Sequence, residues 1–252
     1  MHILRFFIES SSIEKGIVTL SQEDSAHISK VLRMREGEMI TVCDAQAEHQ
    51  CRICAIDKGQ PVRAEILSSG PHTTEPDVFV TVYAALSKGD RFDYLVQKCT
   101  EVGVSHIVPF VSKRCVVRLE NAKDSEKKRV RYERIALEAS KQCLRSRPVS
   151  VGEILPFEQA MQQAAADECC LFLYEGEKNR SFKQILESFG SFKRISIITG
   201  PEGGFEPSEA ELASALGAHS VLIGPRILRC ETAPVAAVSA VMYHTGNFDV
   251  GV

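Results

Sequence analysis

The hydrophobic rhythm of the chain changes once, near residue 78, and that change limits the fold more than any other feature. Before it, short apolar runs alternate with turn signals at residues 3–8, 16–20, 38–43, 50–55 and 62–67. This spacing predicts strands. One stretch, 21–34, reads as a helix. Residues 68–77 hold two prolines, a glycine and several hydroxyls, and read as a linker. After it, strand and helix alternate. Residues 78–86 are a continuous β-prone run. Residues 91–104 place Phe92, Leu95, Val96, Cys99 and Val102 at helical spacing. Further strands are predicted at 107–111, 170–174, 194–199 and 220–223. Helices are predicted at 124–144, 182–189, 207–216 and 232–245. Such alternation implies an α/β fold with a parallel sheet covered on both faces.

The last helix is apolar nearly all round, through Ala233, Val235, Ala236, Ala237, Val238, Ala240, Val241 and Met242. A helix without a polar face is buried on all sides. Packing between the sheet and a second subunit would achieve that, so a homodimer through this helix is expected; burial within one chain is the alternative. The run 232–243 is too short to span a bilayer, and residues 1–12 lack the apolar core of a signal peptide. Nine cysteines without framework spacing read as reduced thiols. A cytoplasmic protein with no membrane contact is expected.

The net charge of −3 suggests no nucleic-acid partner until it is divided by segment. Residues 87–147 carry 15 basic and 8 acidic side chains, a net +7, whereas residues 148–252 carry a net −6. Such a block suits a phosphate backbone. Along 120–134 basic and acidic residues mix at helical spacing, so a solvated face explains that part equally well. Lys88, Arg91, Arg145 and Arg147 are better candidates, because they flank element ends with few carboxylates close in sequence.

Two loops carry chemistry. In Thr199-Gly200-Pro201-Glu202-Gly203-Gly204-Phe205 a strand runs into a glycine-rich turn, and a helix opens near Pro207. Three glycines allow close approach of a ligand to the backbone and its N–H donors. Neither a GxGxxG nor a phosphate-binding Lys-Ser/Thr pattern is present. In the second loop, Gly224 to Pro234, a strand ends at Gly224 and Arg226, Arg229 and Glu231 alternate. Thr232 reads as the N-cap of the last helix. Loops at the carboxyl ends of parallel strands are where open α/β sheets place ligands; a plain Arg229–Glu231 surface pair is the structural alternative.

These loops, Thr199 to Phe205 and Leu222-Ile223-Gly224 through Ile227-Leu228-Arg229-Cys230-Glu231-Thr232-Ala233, resemble the two signature loops of the 16S ribosomal RNA (uracil-N3)-methyltransferases of the SPOUT superfamily. Further similarities lie at Arg5-Phe6-Phe7, His27 with Val31-Leu32-Arg33, Gly37, Gln97-Lys98, Glu101-Val102-Gly103, Pro109, Glu138-Ala139, Gln142, Arg145 and Pro148. The resemblance spans essentially the whole chain. Two departures stand out: Cys230 replaces the usual Thr, and Asp44-Ala45-Gln46-Ala47 replaces a glycine-rich turn.

The resemblance implies a PUA-like β-barrel RNA-binding domain over residues 1–70 and a SPOUT methyltransferase domain with a trefoil knot over 76–252. It also implies S-adenosyl-L-methionine as cofactor, 16S rRNA or the assembled small ribosomal subunit as substrate, and a homodimer. The cofactor would be held by Leu173, Tyr174, Thr199, Gly200, Glu202, Gly203, Leu222, Ile223, Gly224, Ile227, Leu228, Arg229 and Thr232. RNA would meet Arg5, Arg33, Lys88, Arg91, Lys98, Arg145 and Arg147. Uracil N3 is protonated at neutral pH and is a poor nucleophile until that proton leaves. Arg229 is the candidate to stabilise the developing anion, and Glu202 or Glu231 could orient the site or accept the proton. A methyltransferase acting on another RNA or base position, or a non-catalytic RNA-binding protein, are the alternatives. Cys51 and Cys54 form a lone CxxC on a predicted strand, where they face opposite sides, so no metal is expected. Ser87 reads as a helix N-cap rather than a nucleophile.

Overall fold

A computed structural model describes residues 4–249; Ile3, the predicted start of the opening strand, lies outside the described residues. Contacts divide the chain into two units, Met1–Glu75 with Ser140–Pro148, and Pro76–Ala139 with Val149–Val252.

The first unit contains β1 (Arg5–Phe7), β2 (Ile13–Glu14), β3 (Ile17–Thr19), α1 (Gln22–Ala26), β4 (Met39–Cys43), β5 (Glu48–Ala55) and β6 (Arg63–Gly70). Its sheet runs β1-β4-β5-β6-β3-β2, antiparallel except where β1 meets β4. Alternation sends Ile40, Val42, Cys51, Ile53, Val62 and Ala64 into a core shared with Phe6, Val18, Leu20 and Ile28. Cys51 is buried and Cys54 exposed, as the strand pattern requires. The β4–β5 turn works without glycine. The Asp44 carboxylate accepts the N–H groups of Gln46 and Ala47, both at 2.8 Å, an Asx-type closure.

Three local expectations change. The predicted helix 21–34 begins as expected, with Ser21 accepting the Asp24 N–H at 3.0 Å, but widens to a π-helical stretch over His27–Leu32. Ser29 Oγ donates to the Ser25 carbonyl at 2.8 Å, the back-bonding that loosens a helical ladder. Arg33 ends the stretch in the left-handed region, φ 53°. The linker starts later than predicted, because Ser69 and Gly70 pair with His49 and Glu48 of β5. Residues 140–148, which the contiguous ranges 1–70 and 76–252 place with the second unit, join the first through Glu75. Its carboxylate accepts from Arg145 Nη2 at 2.6 Å and from the N–H groups of Ser146 and Arg147 at 2.8 and 3.1 Å.

The second unit contains β7 (Phe79–Ala85), α2 (Arg91–Glu101), β8 (His106–Val111), α3 (Ala122–Gln142, its last residues falling in the first unit), β9 (Ser150–Val151), β10 (Leu155–Pro156), α4 (Phe157–Ala164), β11 (Cys169–Leu173), α5 (Phe182–Phe189), β12 (Arg194–Thr199), α6 (Pro207–Ala215), β13 (His219–Val221) and α7 (Thr232–His244). Its sheet runs β10-β8-β7-β12-β11-β13, with β9 beside β8, and every pairing is parallel. The α/β expectation is met. Period-two alternation splits the apolar strands between two cores. Val80, Val82, Ile195 and Ile197 face one core with Val238 and Val241 of α7, while Tyr83, Phe110, Phe172 and Ile198 face the other with Phe157 of α4. The two-residue strands β9 and β10 are too short for periodicity to reveal. α4 is absent from the predicted elements, although Phe157, Ala160, Met161 and Ala164 have helical spacing. Two caps move as well: Asp90, not Ser87, precedes α2, and Glu231, not Thr232, precedes α7.

Arg5 and Glu48 form the central charge pair of the first unit. Arg5 Nη1 and Nη2 donate to Glu48 Oε1 and Oε2 at 3.2 and 3.1 Å, with side-chain exposures of only 9% and 12%. Burial pushes the Glu48 carboxyl up, but the Ser146 hydroxyl and Arg5 outweigh it and hold the group below its ordinary value. Its contribution to stability is therefore present above the ordinary carboxylate value and lost as pH falls through the lowered one. Glu48→Gln strands a largely buried guanidinium, and urea unfolding at neutral pH should show a loss of about 3 kcal/mol. The variant should also lose part of the acid sensitivity that the parent shows below the ordinary carboxylate range.

Candidate functional site

Because β11, β12 and β13 run parallel and adjacent, the segments that follow them leave the same edge of the sheet. They line one cavity of about 700 Å³. The predicted residues Leu173, Tyr174, Thr199, Gly200, Glu202, Gly203, Leu222, Ile223, Gly224, Ile227, Leu228 and Arg229 all lie on its wall. Thr232 is the exception: it is the first residue of α7 and exposed. The cavity also holds Arg91 and Glu175, which sequence patterns did not assign to it.

The loops are held by specific bonds. Leu222 donates its N–H to the Arg180 carbonyl, and Phe182 donates to Leu222, both at 3.0 Å, so the residues before α5 clamp the β13 loop. In the β12 loop, Gly204 turns back with its N–H on the Pro201 carbonyl at 3.0 Å and φ +67°. A Cβ there would also meet a Glu175 carboxylate oxygen at 1.8 Å, which that flexible side chain can yield, so the positive φ is what calls for glycine. A Cβ on Gly200 would come within 2.9 Å of the Phe205 ring, which packs among Phe110, Phe157 and Phe172.

The polar groups divide into satisfied and open ones. Thr199 is 2% exposed and its hydroxyl has no hydrogen-bond partner among the described residues. A buried, unpartnered hydroxyl on a cavity wall needs a ligand or water. Glu202 Oε1 accepts from Arg91 Nη1 at 2.7 Å and from the Lys88 N–H at 3.0 Å. Burial pushes the Glu202 carboxyl up, but backbone N–H groups and Arg91 outweigh it and hold it below its ordinary value. Glu231 accepts from the Cys230 thiol at 3.2 Å. Burial, then that bond, push the Cys230 thiol up to about 11. Arg226 and Arg229 are exposed and form neither ion pair nor side-chain hydrogen bond among the described residues. The Arg229–Glu231 pair considered from sequence does not form.

Several of the residues expected to meet RNA are committed elsewhere. Arg5 is buried on Glu48, and Arg145 pairs with Glu75 at 2.6 Å. Lys98 pairs with Glu101 at 2.8 Å, and Arg91 with Glu202. Except for Glu101, three residues from Lys98, these carboxylates come from distant positions. Arg33, Lys88 and Arg147 keep exposed side chains, Arg147 donating to the Ala45 carbonyl at 3.1 Å.

The family model described as RNA methyltransferase domain matches residues 74–242. A Bacillus subtilis protein named ribosomal RNA small subunit methyltransferase E is 32% identical over 249 residues, 96% of each chain. The crystal structure of the protein of that name from Neisseria gonorrhoeae, bound to S-adenosyl methionine, is 31% identical with a TM-score of 0.83, covering 96% of this chain and 97% of that one. A Legionella pneumophila putative methyltransferase in complex with the same cofactor is 26% identical with a TM-score of 0.85, covering 96% and 98%.

Gly200→Ala forces a methyl group against the buried Phe205 ring, which packs on three other rings. Thermal or urea unfolding should show a loss of about 1–3 kcal/mol, the usual range for overpacking. An unchanged midpoint would mean that the loop relaxes freely.

Proposed function

This chain belongs to the RNA methyltransferase family, among the ribosomal RNA small subunit methyltransferases E, and we propose that it methylates N3 of a specific uridine in 16S rRNA with S-adenosylmethionine. The observation that carries the reading is the convergence of three βα loops on one cavity whose buried Thr199 hydroxyl is open and whose Arg229 is unpaired. A volume of about 700 Å³ suits a cofactor of nucleoside size. The donor set suits it too: glycine-loop N–H groups, apolar Leu173, Leu222, Ile223 and Leu228, and an unmet hydroxyl. When bound, the cofactor supplies a methyl group already activated on a sulfonium. The residues of this chain then position the base, exclude water and stabilise charge. Arg229 faces the negative charge that grows on the uracil carbonyl oxygens as N3 loses its proton. Glu202 and Glu231 are the carboxylates at hand for orientation and proton transfer.

In this reading the trefoil knot of the SPOUT fold lies in the second unit. In support, β13 sits beyond β11 at the sheet edge, yet α7, which follows it, returns to pack on α2, β7 and β12. The first unit acts as the PUA-like barrel that binds RNA, with Arg33 and Arg147 exposed on it, and Arg5 and Arg145 shape that unit through their carboxylate pairs. Lys88 and Arg91 belong to the second unit and meet RNA there. The homodimer forms through α7. Its Pro234, Ala237, Val238, Val241 and Met242 are buried, whereas the equally apolar Ala233, Val235, Ala236 and Ala240 are only half-buried and Tyr243 is 81% exposed. No described helix is long and apolar enough to cross a membrane, and action in the cytoplasm on ribosomal subunits fits the reading.

Three outcomes test this. Mass mapping of 16S rRNA from a deletion strain should lack one N3-methyluridine; its retention redirects the enzyme to another RNA or base. Arg229→Ala should keep the fold by thermal unfolding and lose about 10²–10³-fold in methylation rate, the scale for removing one charge-stabilising donor; absent cofactor binding in the parent by calorimetry would favour a non-catalytic RNA-binding protein. Sedimentation should give twice the monomer mass, and Tyr243→Glu with Ala240→Glu should shift it to the monomer.

A further inference from the structure

Three carboxylates line the cavity; Glu175 is exposed beside Gly204, and the other two differ in their surroundings. Glu202 is tied to the Arg91 guanidinium and the Lys88 N–H. Glu231 is half-buried and has one bond, from the Cys230 thiol to Oε2 at 3.2 Å; Oε1 has no partner among the described residues. Glu231 also stands at the N-cap position of α7, where a carboxylate commonly turns back onto the helix. It does not do so here. The N–H groups of Thr232 and Ala233 go instead to the Arg229 carbonyl, both at 2.9 Å. That turn places Arg229 and Glu231 on one short stretch of the cavity wall, with an exposed cation and an open carboxylate two residues apart in sequence.

We propose that Glu231 is the group that takes the N3 proton of the target uracil, and that Glu202 is a positioning residue which holds Arg91 and never handles the proton. The assignment rests on the uracil-N3 reading of the target. In the step, the N3–H bond breaks and its electron pair forms the bond to the incoming methyl group. The carbon–sulfur bond of the sulfonium breaks with its pair on sulfur. The proton rests on Glu231, which half-burial leaves open to solvent for release.

Glu175 is exposed and has no hydrogen bond among the described residues to orient it. Glu202 and Cys230 are weaker bases by their contacts. Glu202 takes both the Arg91 guanidinium and the Lys88 N–H on Oε1 and is held below its ordinary value as described. Cys230, pushed up to about 11, stays protonated at neutral pH and serves as a donor. A thiol is a weak donor, so it orients Glu231 without binding up its lone pairs. The charged or titratable groups around Glu231 on the same cavity are Arg91 of α2, Tyr174 and Glu175 after β11, Glu202 after β12, and Arg226, Arg229 and Cys230 of its own loop.

The test uses the full-length protein, S-adenosylmethionine and small ribosomal subunits from a deletion strain. Single-turnover rates are measured from about pH 6 to about pH 9, toward the range in which a uracil N3–H begins to ionise without help. Glu231→Gln should slow methyl transfer about 10²-fold or more at neutral pH, the usual scale for a lost general base, and its rate should recover more steeply than the parent's as pH rises, because the N3 proton can then leave to hydroxide. Glu202→Gln should weaken substrate binding through the released Arg91 while keeping the parent's pH profile. Independently of activity, iodoacetamide labelling of the Cys230 peptide should begin at lower pH in Glu231→Gln than in the parent, and cofactor affinity by calorimetry should be unchanged. A parent product methylated at N3, together with a Glu231→Gln rate and pH profile close to the parent's, overturns the assignment alone. A parent product methylated away from N3 overturns the functional reading instead. A steep recovery with pH in Glu202→Gln, and not in Glu231→Gln, would transfer the role to Glu202.

Discussion

The parallel pairing of β11 with both β12 and β13 is the constraint on which the site depends. In a parallel ladder every strand delivers its carboxyl end to the same edge. Three consecutive strands of the chain therefore empty their loops into one volume, although about fifty residues of sequence, 173–222, separate the first loop from the last. An antiparallel neighbour would have sent one loop to the opposite edge. The glycines and the Leu222 clamp refine this arrangement; they do not create it.

The charge distribution follows a second rule. The basic block of the middle segment looks like a free polyelectrolyte in sequence, and the fold spends much of it internally. Arg91, Arg114, Arg131 and Arg145 each find a carboxylate through space, and Arg129 finds two along its own helix. Where such pairs are exposed they contribute little to stability. Where they are largely buried, as at Arg5 with Glu48 and Arg145 with Glu75, they bind separate segments into one unit, and the loss of one partner is felt in full. Net segment charge thus overstates the surface available to a phosphate backbone.

This explains which parts were legible in advance. Periodicity and turn residues are local, so the strand–helix alternation, the glycine-rich loop at Thr199 and the apolar α7 could be read directly. Most of the cavity wall follows from those loops once the parallel sheet is inferred. Three things depend on distant partners and could not be read. Glu202 finds Arg91 across 111 residues. Glu75 draws in residues 140–148. Glu175 lies against Gly204 of another loop. The π-helical widening at His27–Leu32 was hidden for another reason: the hydrophobic pattern of 21–34 fits a regular helix, and a single serine back-bond alters it.

The same pairing logic bears on why Arg229 remains open. An exposed guanidinium beside carboxylates on a shared cavity would ordinarily collapse onto one of them. Glu202 is already held by Arg91 and a backbone N–H, and a carboxylate so committed gains little by exchanging one guanidinium for another. Glu231 follows Arg229 by two residues, but the turn that closes Thr232 and Ala233 onto the Arg229 carbonyl directs it toward Cys230 instead. The Arg91–Glu202 clasp and the α7 turn together keep the two arginines of the last loop free of internal partners. On the proposed reading, an anion forming on a bound base would meet a cation that need not first break a bond, the reorganisation having been completed by folding.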